Sequence, residues 1–93
     1  MPQKAGDNRE ILKTVLKGIE KFNDLRAPEA RAQLVEFREG KILVRFSGQM
    51  CFSCGVFDYF EDLLYEIRDL GIKVEIKDFR RESEDCYLVL YKI

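Results

Sequence analysis

The spacing of apolar residues changes several times along this chain, and these changes constrain the fold more than any other sequence feature. Apolar residues recur at three- and four-residue intervals from Ile11 to Leu25, then largely at every second residue from Leu34 to Phe46. The helical interval returns between Val56 and Leu70, and the two-residue interval returns from Ile72. The first period indicates an amphipathic helix and the second a half-buried strand. The predicted order is helix, strand, strand, helix, strand, strand.

Local signals set the ends of the two helices. We predict the first helix over 8–26, because the apolar stripe stops there and Pro28 follows. Asp7 followed by Glu10 matches a capping box at its start. The second helix is predicted over 56–70, because Gly71 then occupies the usual position after a helix end.

The strands are predicted from alternation and turn residues. Glu39-Gly40 separates the first two strands, and glycine supplies the positive φ that a tight hairpin needs. Alternation over 72–76 predicts the third strand, and the charged segment 80–85 is expected to be a loop. Residues 86–93 predict a fourth strand, paired antiparallel with the third.

The faces of the last strand have a direct bearing on partners. If Leu88 and Leu90 point toward the helices, then Tyr87, Val89 and Tyr91 lie on the opposite, open face of the sheet. An exposed apolar strip of that kind usually marks an interface. This assignment predicts self-association through the sheet or a protein partner.

These elements predict an α+β fold, a two-layer sandwich with two helices on one face of a four-stranded sheet. The hairpin has one strongly apolar face and one mixed face, so helices are expected on a single side. A chain of 93 residues has enough material for one modest core. We therefore expect a single domain over 8–93, preceded by a flexible tail over 1–7.

Composition excludes several classes of function. The net charge of −1 gives no basic footprint for nucleic acid. No apolar run reaches the roughly 18–20 residues that span a bilayer, and the first residues lack the apolar segment of a signal peptide. We expect a cytosolic protein with reduced thiols and no membrane partner. The absence of histidine excludes His-based metal sites and Cys-His or Ser-His-Asp catalysis within this chain.

Two cysteines carry the only visible chemistry. Cys51 and Cys54 lie where the second strand passes into the second helix. Backbone N–H groups and the partial positive charge at a helix N-terminus stabilise thiolates, which bind metals and attack disulfides. Cys86 begins the last strand, and we expect an ordinary core or edge residue unless that strand runs beside the Cys51–Cys54 loop. We do not expect an enzyme, because the sequence has no clear acid–base pair or phosphate-binding loop.

Three hypotheses explain the Cys51–Cys54 pair. As metal ligands, the two thiolates form half of a four-ligand site, so a second copy in a homodimer, another protein or a small thiol must complete it. An iron–sulfur cluster then fits better than zinc. As a dithiol, the pair would act in thiol–disulfide exchange, with Cys51 as nucleophile. In the third hypothesis the cysteines are incidental to a protein-interaction module.

Two features count against the dithiol hypothesis. Thioredoxins reach the strand before their Cys-x-x-Cys through a helical crossover, whereas here a tight hairpin is predicted. They also place a cis-proline opposite the dithiol, whereas Pro2 and Pro28 both lie upstream of it.

The hairpin over 34–48, then Cys51-x-x-Cys54, an amphipathic helix and a strand over 74–76 follow one another in that order. This layout, over about residues 10–78, resembles the NifU C-terminal-type domain. The resemblance implies an iron–sulfur scaffold or carrier, with a cluster bound by Cys51 and Cys54 and shared across a homodimer. A protein that receives the cluster would be its other partner.

The chain departs from that family around the cysteines. Gln49 and Met50 separate Gly48 from the first cysteine, one residue more than the family usually has, and Gly55 stands where the family has proline. The last strand, from Cys86, is additional. A fold can be shared without its function, so the chemistry has to be judged from the residues themselves.

Overall fold

The computed structural model describes residues 8–52 and 54–93. The described elements follow the predicted order, with a 3₁₀ turn added between the second strand and the second helix. They are α1 (Asn8–Arg26), β1 (Arg31–Arg38), β2 (Lys41–Ser47), the 3₁₀ turn Gln49–Phe52, α2 (Val56–Asp69), β3 (Glu75–Ser83) and β4 (Cys86–Lys92). The α+β class and both helices are confirmed, whereas Asp7 of the expected capping box and the expected tail over 1–7 lie outside the described residues.

The four strands form one antiparallel sheet in the order β1-β2-β4-β3. Because β4 lies between them, β2 and β3 run in the same direction, and α2 connects them across the sheet. The loop that carries the cysteines therefore leaves the end of β2 near the start of β4 and the end of β3. At the opposite end of β2, Glu39 and Gly40 adopt positive φ values of 51° and 78°, as the predicted tight turn requires.

Both helices pack on the same face of the sheet, as predicted. Phe46 of β2 lies at the centre of the core, with its ring 5.5 Å from that of Phe22 and 5.0 Å from that of Phe60. Gly18 allows α1 to approach α2 closely, because a Cβ there would lie 2.9 Å from Cγ1 of Ile67. The core joins residues from both helices, the two central strands and the 3₁₀ turn.

The third strand was predicted in the wrong place. It begins at Glu75, so Ile72 and Val74 precede it, and it continues through the segment 80–85, expected to be a loop, as far as Ser83. Arg80 and Arg81 pair with Leu88 and Tyr87 of β4. A charged sequence forms a strand here because β3 is an edge strand with most of its side chains in solvent.

The expected apolar strip on the open face is also wrong. Val89 and Tyr91 are fully buried beneath the helices, and the Tyr91 hydroxyl donates a hydrogen bond to the carbonyl of Phe60 at 2.8 Å. Leu88 and Leu90 lie on the open face instead. Every residue from Tyr87 to Tyr91 is apolar or aromatic, so alternation alone did not distinguish the two faces.

The two edge strands carry features that oppose pairing with another strand. The pairing register shifts at Val35 in β1, and at Lys77 and Glu82 in β3. The Asp78 carboxylate accepts a hydrogen bond from the backbone N–H of Phe79 at 2.8 Å. Bulges, charges and occupied N–H groups are the usual protection of sheet edges. Within the described residues, neither helix has the length and apolarity needed to cross a membrane.

Burial raises the pKa of Tyr91 well above its ordinary value, and this predicts a pH dependence of stability. In the unfolded chain tyrosine ionises at about pH 10. The native state keeps this proton at higher pH, so it binds more protons than the unfolded state and stability falls as pH rises above that point. Urea unfolding from pH 8 to 11 should show a shallower loss for Tyr91→Phe than for wild type. Parallel losses in the two proteins would contradict the prediction.

Candidate functional site

The loop that carries the cysteines turns sharply at Gly48 and rests against the connection between α1 and β1. Gly48 has a φ of 107°, and a Cβ there would lie 2.6 Å from the carbonyl oxygen of Glu29. The same carbonyl accepts a hydrogen bond from the backbone N–H of Met50 at 3.0 Å. Only glycine fits this close approach, so the loop leaves the sheet along a fixed path.

Cys51 lies inside the protein. The 3₁₀ turn directs its side chain into the core, where the residue is 1% exposed. Its Sγ donates a weak hydrogen bond to the carbonyl of Phe46 at 3.6 Å, and its N–H donates to Gly48 at 3.2 Å. In this arrangement Cys51 behaves as a small core residue with a satisfied thiol.

Arg81 of β3 holds the same turn from the other side. Its Nη2 donates to the carbonyl of Cys51 at 3.1 Å and to that of Glu84 at 2.7 Å, and its Nε donates to Ser83 at 3.1 Å. The guanidinium also lies over the ring of Tyr87, 5.3 Å from its centre. One side chain therefore joins the β3–β4 hairpin to the turn.

The electrostatic surroundings keep Cys51 protonated. Burial raises the pKa of the Cys51 thiol, and the nearby Cys86 and Asp85 raise that pKa further, whereas the Arg81 guanidinium lowers it. The first cause outweighs the attraction of the arginine. Cys51 is therefore a poor nucleophile and a poor metal ligand while the turn stays closed.

Cys54 differs from Cys51 in its exposure to solvent. It is exposed and precedes Gly55, the residue at the N-cap of α2. All three cysteines are free thiols. Of the two cysteines in the Cys-x-x-Cys sequence, Cys51 is therefore buried and Cys54 is in solvent.

Cys86 lies beside the base of the loop. It is half-buried and pairs with Ser47, the last residue of β2, across the β2–β4 ladder. The last strand therefore does run beside the cysteine loop, which was the condition for Cys86 as a third ligand. Within 8–52 and 54–93, however, no group of three or more His, Cys, Asp or Glu side chains is arranged to hold a metal ion.

An exposed aromatic surface lies at the same end of the molecule, and sequence reasoning missed it. We define the aromatic surface as Phe57 and Phe79, which are 41% and 44% exposed. The rings of Phe57 and Phe79 are 5.6 Å apart, and each also packs on the buried ring of Phe60. Alternation around Phe79 was the available signal, but this residue fell between the predicted third strand and the predicted loop.

No protein-family model matches the chain, and no curated protein matches it. The resemblance to the NifU C-terminal-type domain thus stays a prediction.

Proposed function

We propose that this domain is a non-enzymatic protein-binding module that uses the aromatic surface beside Cys54. The observation that carries the proposal is the continuous packing of Phe57 and Phe79 on the buried ring of Phe60. Rings fixed in this way are preorganised, so a partner meets a rigid surface and orders few side chains on binding. Rigid aromatic anchors of this kind dominate the binding energy of many protein interfaces.

The exposure of these rings supports this role. With about 200 Å² for a fully exposed phenylalanine, the two fractional exposures together leave roughly 170 Å² of aromatic area in water. Aromatic residues are enriched at protein–protein interfaces relative to the rest of the surface. The partner that fits is a protein segment with apolar side chains, rather than a nucleic acid or a small charged substrate.

The surroundings of the aromatic surface also suit a protein partner. Asp58 follows Phe57 in the first turn of α2, Arg81 lies two residues after Phe79 on β3, and both are exposed. Interfaces usually combine an apolar centre with a polar rim in this way. We place the protein in the cytosol, where its three free thiols would stay reduced.

Site-directed cross-linking tests this proposal. Cys54 is an exposed natural handle, so a Cys86→Ser variant can be labelled there with benzophenone maleimide and illuminated in an extract of its native cells. We expect a discrete adduct, identified by mass spectrometry, that disappears when Phe57 and Phe79 are both changed to serine.

The matched control changes Leu25 and Tyr65 to serine, since both are exposed apolar residues outside the aromatic surface. This control should keep the adduct, and circular dichroism should show all variants folded. An adduct of equal yield with the Phe57→Ser/Phe79→Ser protein, or none with any variant, would overturn the proposal.

The second candidate function is an iron–sulfur cluster or metal carrier that binds through Cys51 and Cys54. The observation in its favour is the gathering of the cysteines at one end of the molecule, with Cys86 opposite Ser47 at the base of the loop. Binding would require Cys51 to turn outward and lose its proton. A second copy of the chain or a recipient protein would then supply the remaining ligands. Zinc is the alternative metal, and thiol–disulfide exchange would need the same exposure of Cys51.

Anaerobic incubation with ferric iron, sulfide and a thiol reductant tests the carrier function. A carrier should develop the visible absorption of sulfur-to-iron charge transfer together with the mass of a dimer. Both signals should vanish in a Cys51→Ser/Cys54→Ser variant. A wild-type protein that stays colourless and monomeric would exclude this candidate and leave the protein-binding module untouched.

A further inference from the structure

The turn Gln49–Phe52 is attached to the rest of the protein on two sides, and the Cys51 thiol also donates to the carbonyl of Phe46 beneath it. On one side the N–H of Met50 donates to the carbonyl of Glu29. On the other side Arg81 donates to the carbonyl of Cys51. Met50 and Cys51 are both buried, so the turn seals a part of the core. A single 3₁₀ turn of four residues lies outside the hydrogen-bonded ladders, so it opens more readily than the sheet beneath it.

Contacts within its own hairpin fix the Arg81 side chain in the position from which it bonds to the turn. Its Nε and Nη2 are held by the carbonyls of Ser83 and Glu84 within its own hairpin, and its guanidinium stacks on Tyr87. The side chain loses little further freedom when it also binds Cys51, because it is already fixed. Arg81 remains at the surface, where water or another group can reach it.

We propose that Arg81 is a latch that keeps the turn Gln49–Phe52 closed, and that its release exposes the Cys51 thiol while both helices and the sheet stay folded. In the closed state the protein presents one thiol at the turn, that of Cys54. In the open state it presents the adjacent pair Cys51 and Cys54. The latch concerns access to Cys51 alone, so it stands whether or not the aromatic surface binds a partner.

Alkylation kinetics test the latch. In a Cys54→Ser/Cys86→Ser background, N-ethylmaleimide can react only with Cys51. Replacing Arg81 by glutamine removes the charged hydrogen bonds to the turn, and a hydrogen bond to a charged group is worth enough to shift the opening equilibrium about tenfold. We expect Cys51 to react about tenfold faster in this variant. Arg80→Gln is the matched control, since it removes the same charge from the other face of β3, and it should react at the background rate.

A second measurement separates local opening from general loss of stability. Hydrogen exchange should accelerate at the amide of Met50, which bonds to Glu29, and stay unchanged at Val44 in the central strand β2. Arg81→Lys keeps the charge but loses the planar guanidinium, so its rate of Cys51 alkylation should lie between those of wild type and Arg81→Gln. If Arg81→Gln does not fold, Arg81→Lys takes its place in the comparison. Equal alkylation rates for the Arg80 and Arg81 variants, or equal acceleration at Met50 and Val44, would overturn the proposal.

Discussion

The structure depends most on the burial of Phe46 at the end of β2. Its ring meets Phe22 of α1 and Phe60 of α2, so one side chain joins the sheet to both helices. Its carbonyl accepts the hydrogen bond of the Cys51 thiol, so the same residue also holds the cysteine turn against the core. The Phe60 ring extends this packing to Phe57 and Phe79 at the surface. The core and the candidate site are therefore parts of one packed unit.

This continuity gives the two cysteines different roles. Cys51 completes the core, where burial raises its pKa and favours the neutral thiol. Cys54, three residues later, has left the core and lies in solvent at the start of α2. A Cys-x-x-Cys sequence thus does not by itself define a two-thiol site. Here the two thiols become accessible together only if the turn opens, and opening breaks the contacts of the turn with Arg81, Glu29 and Phe46.

The order of elements and the α+β class could be predicted from the sequence, because each helix and each strand of the first hairpin has a clear apolar period. The faces of β4 could not be predicted, since residues 87–91 are apolar or aromatic at every position. The extent of β3 was also hidden, because an edge strand tolerates charges such as Arg80 and Glu82. The placement of Cys51 and Cys54 between β2 and α2 was predicted, but the burial of Cys51 depends on partners far along the chain.

The central claim is that Cys51 is part of the core and Cys54 is not. Urea unfolding of two matched variants tests it most directly. Cys51→Ser buries a hydroxyl in place of a thiol and should lower the free energy of unfolding by about 0.5–2 kcal/mol even when Phe46 accepts its hydrogen bond. Cys54→Ser should leave the free energy of unfolding within about 0.5 kcal/mol of wild type. Equal effects of the two substitutions, or a larger loss for Cys54→Ser, would contradict the account.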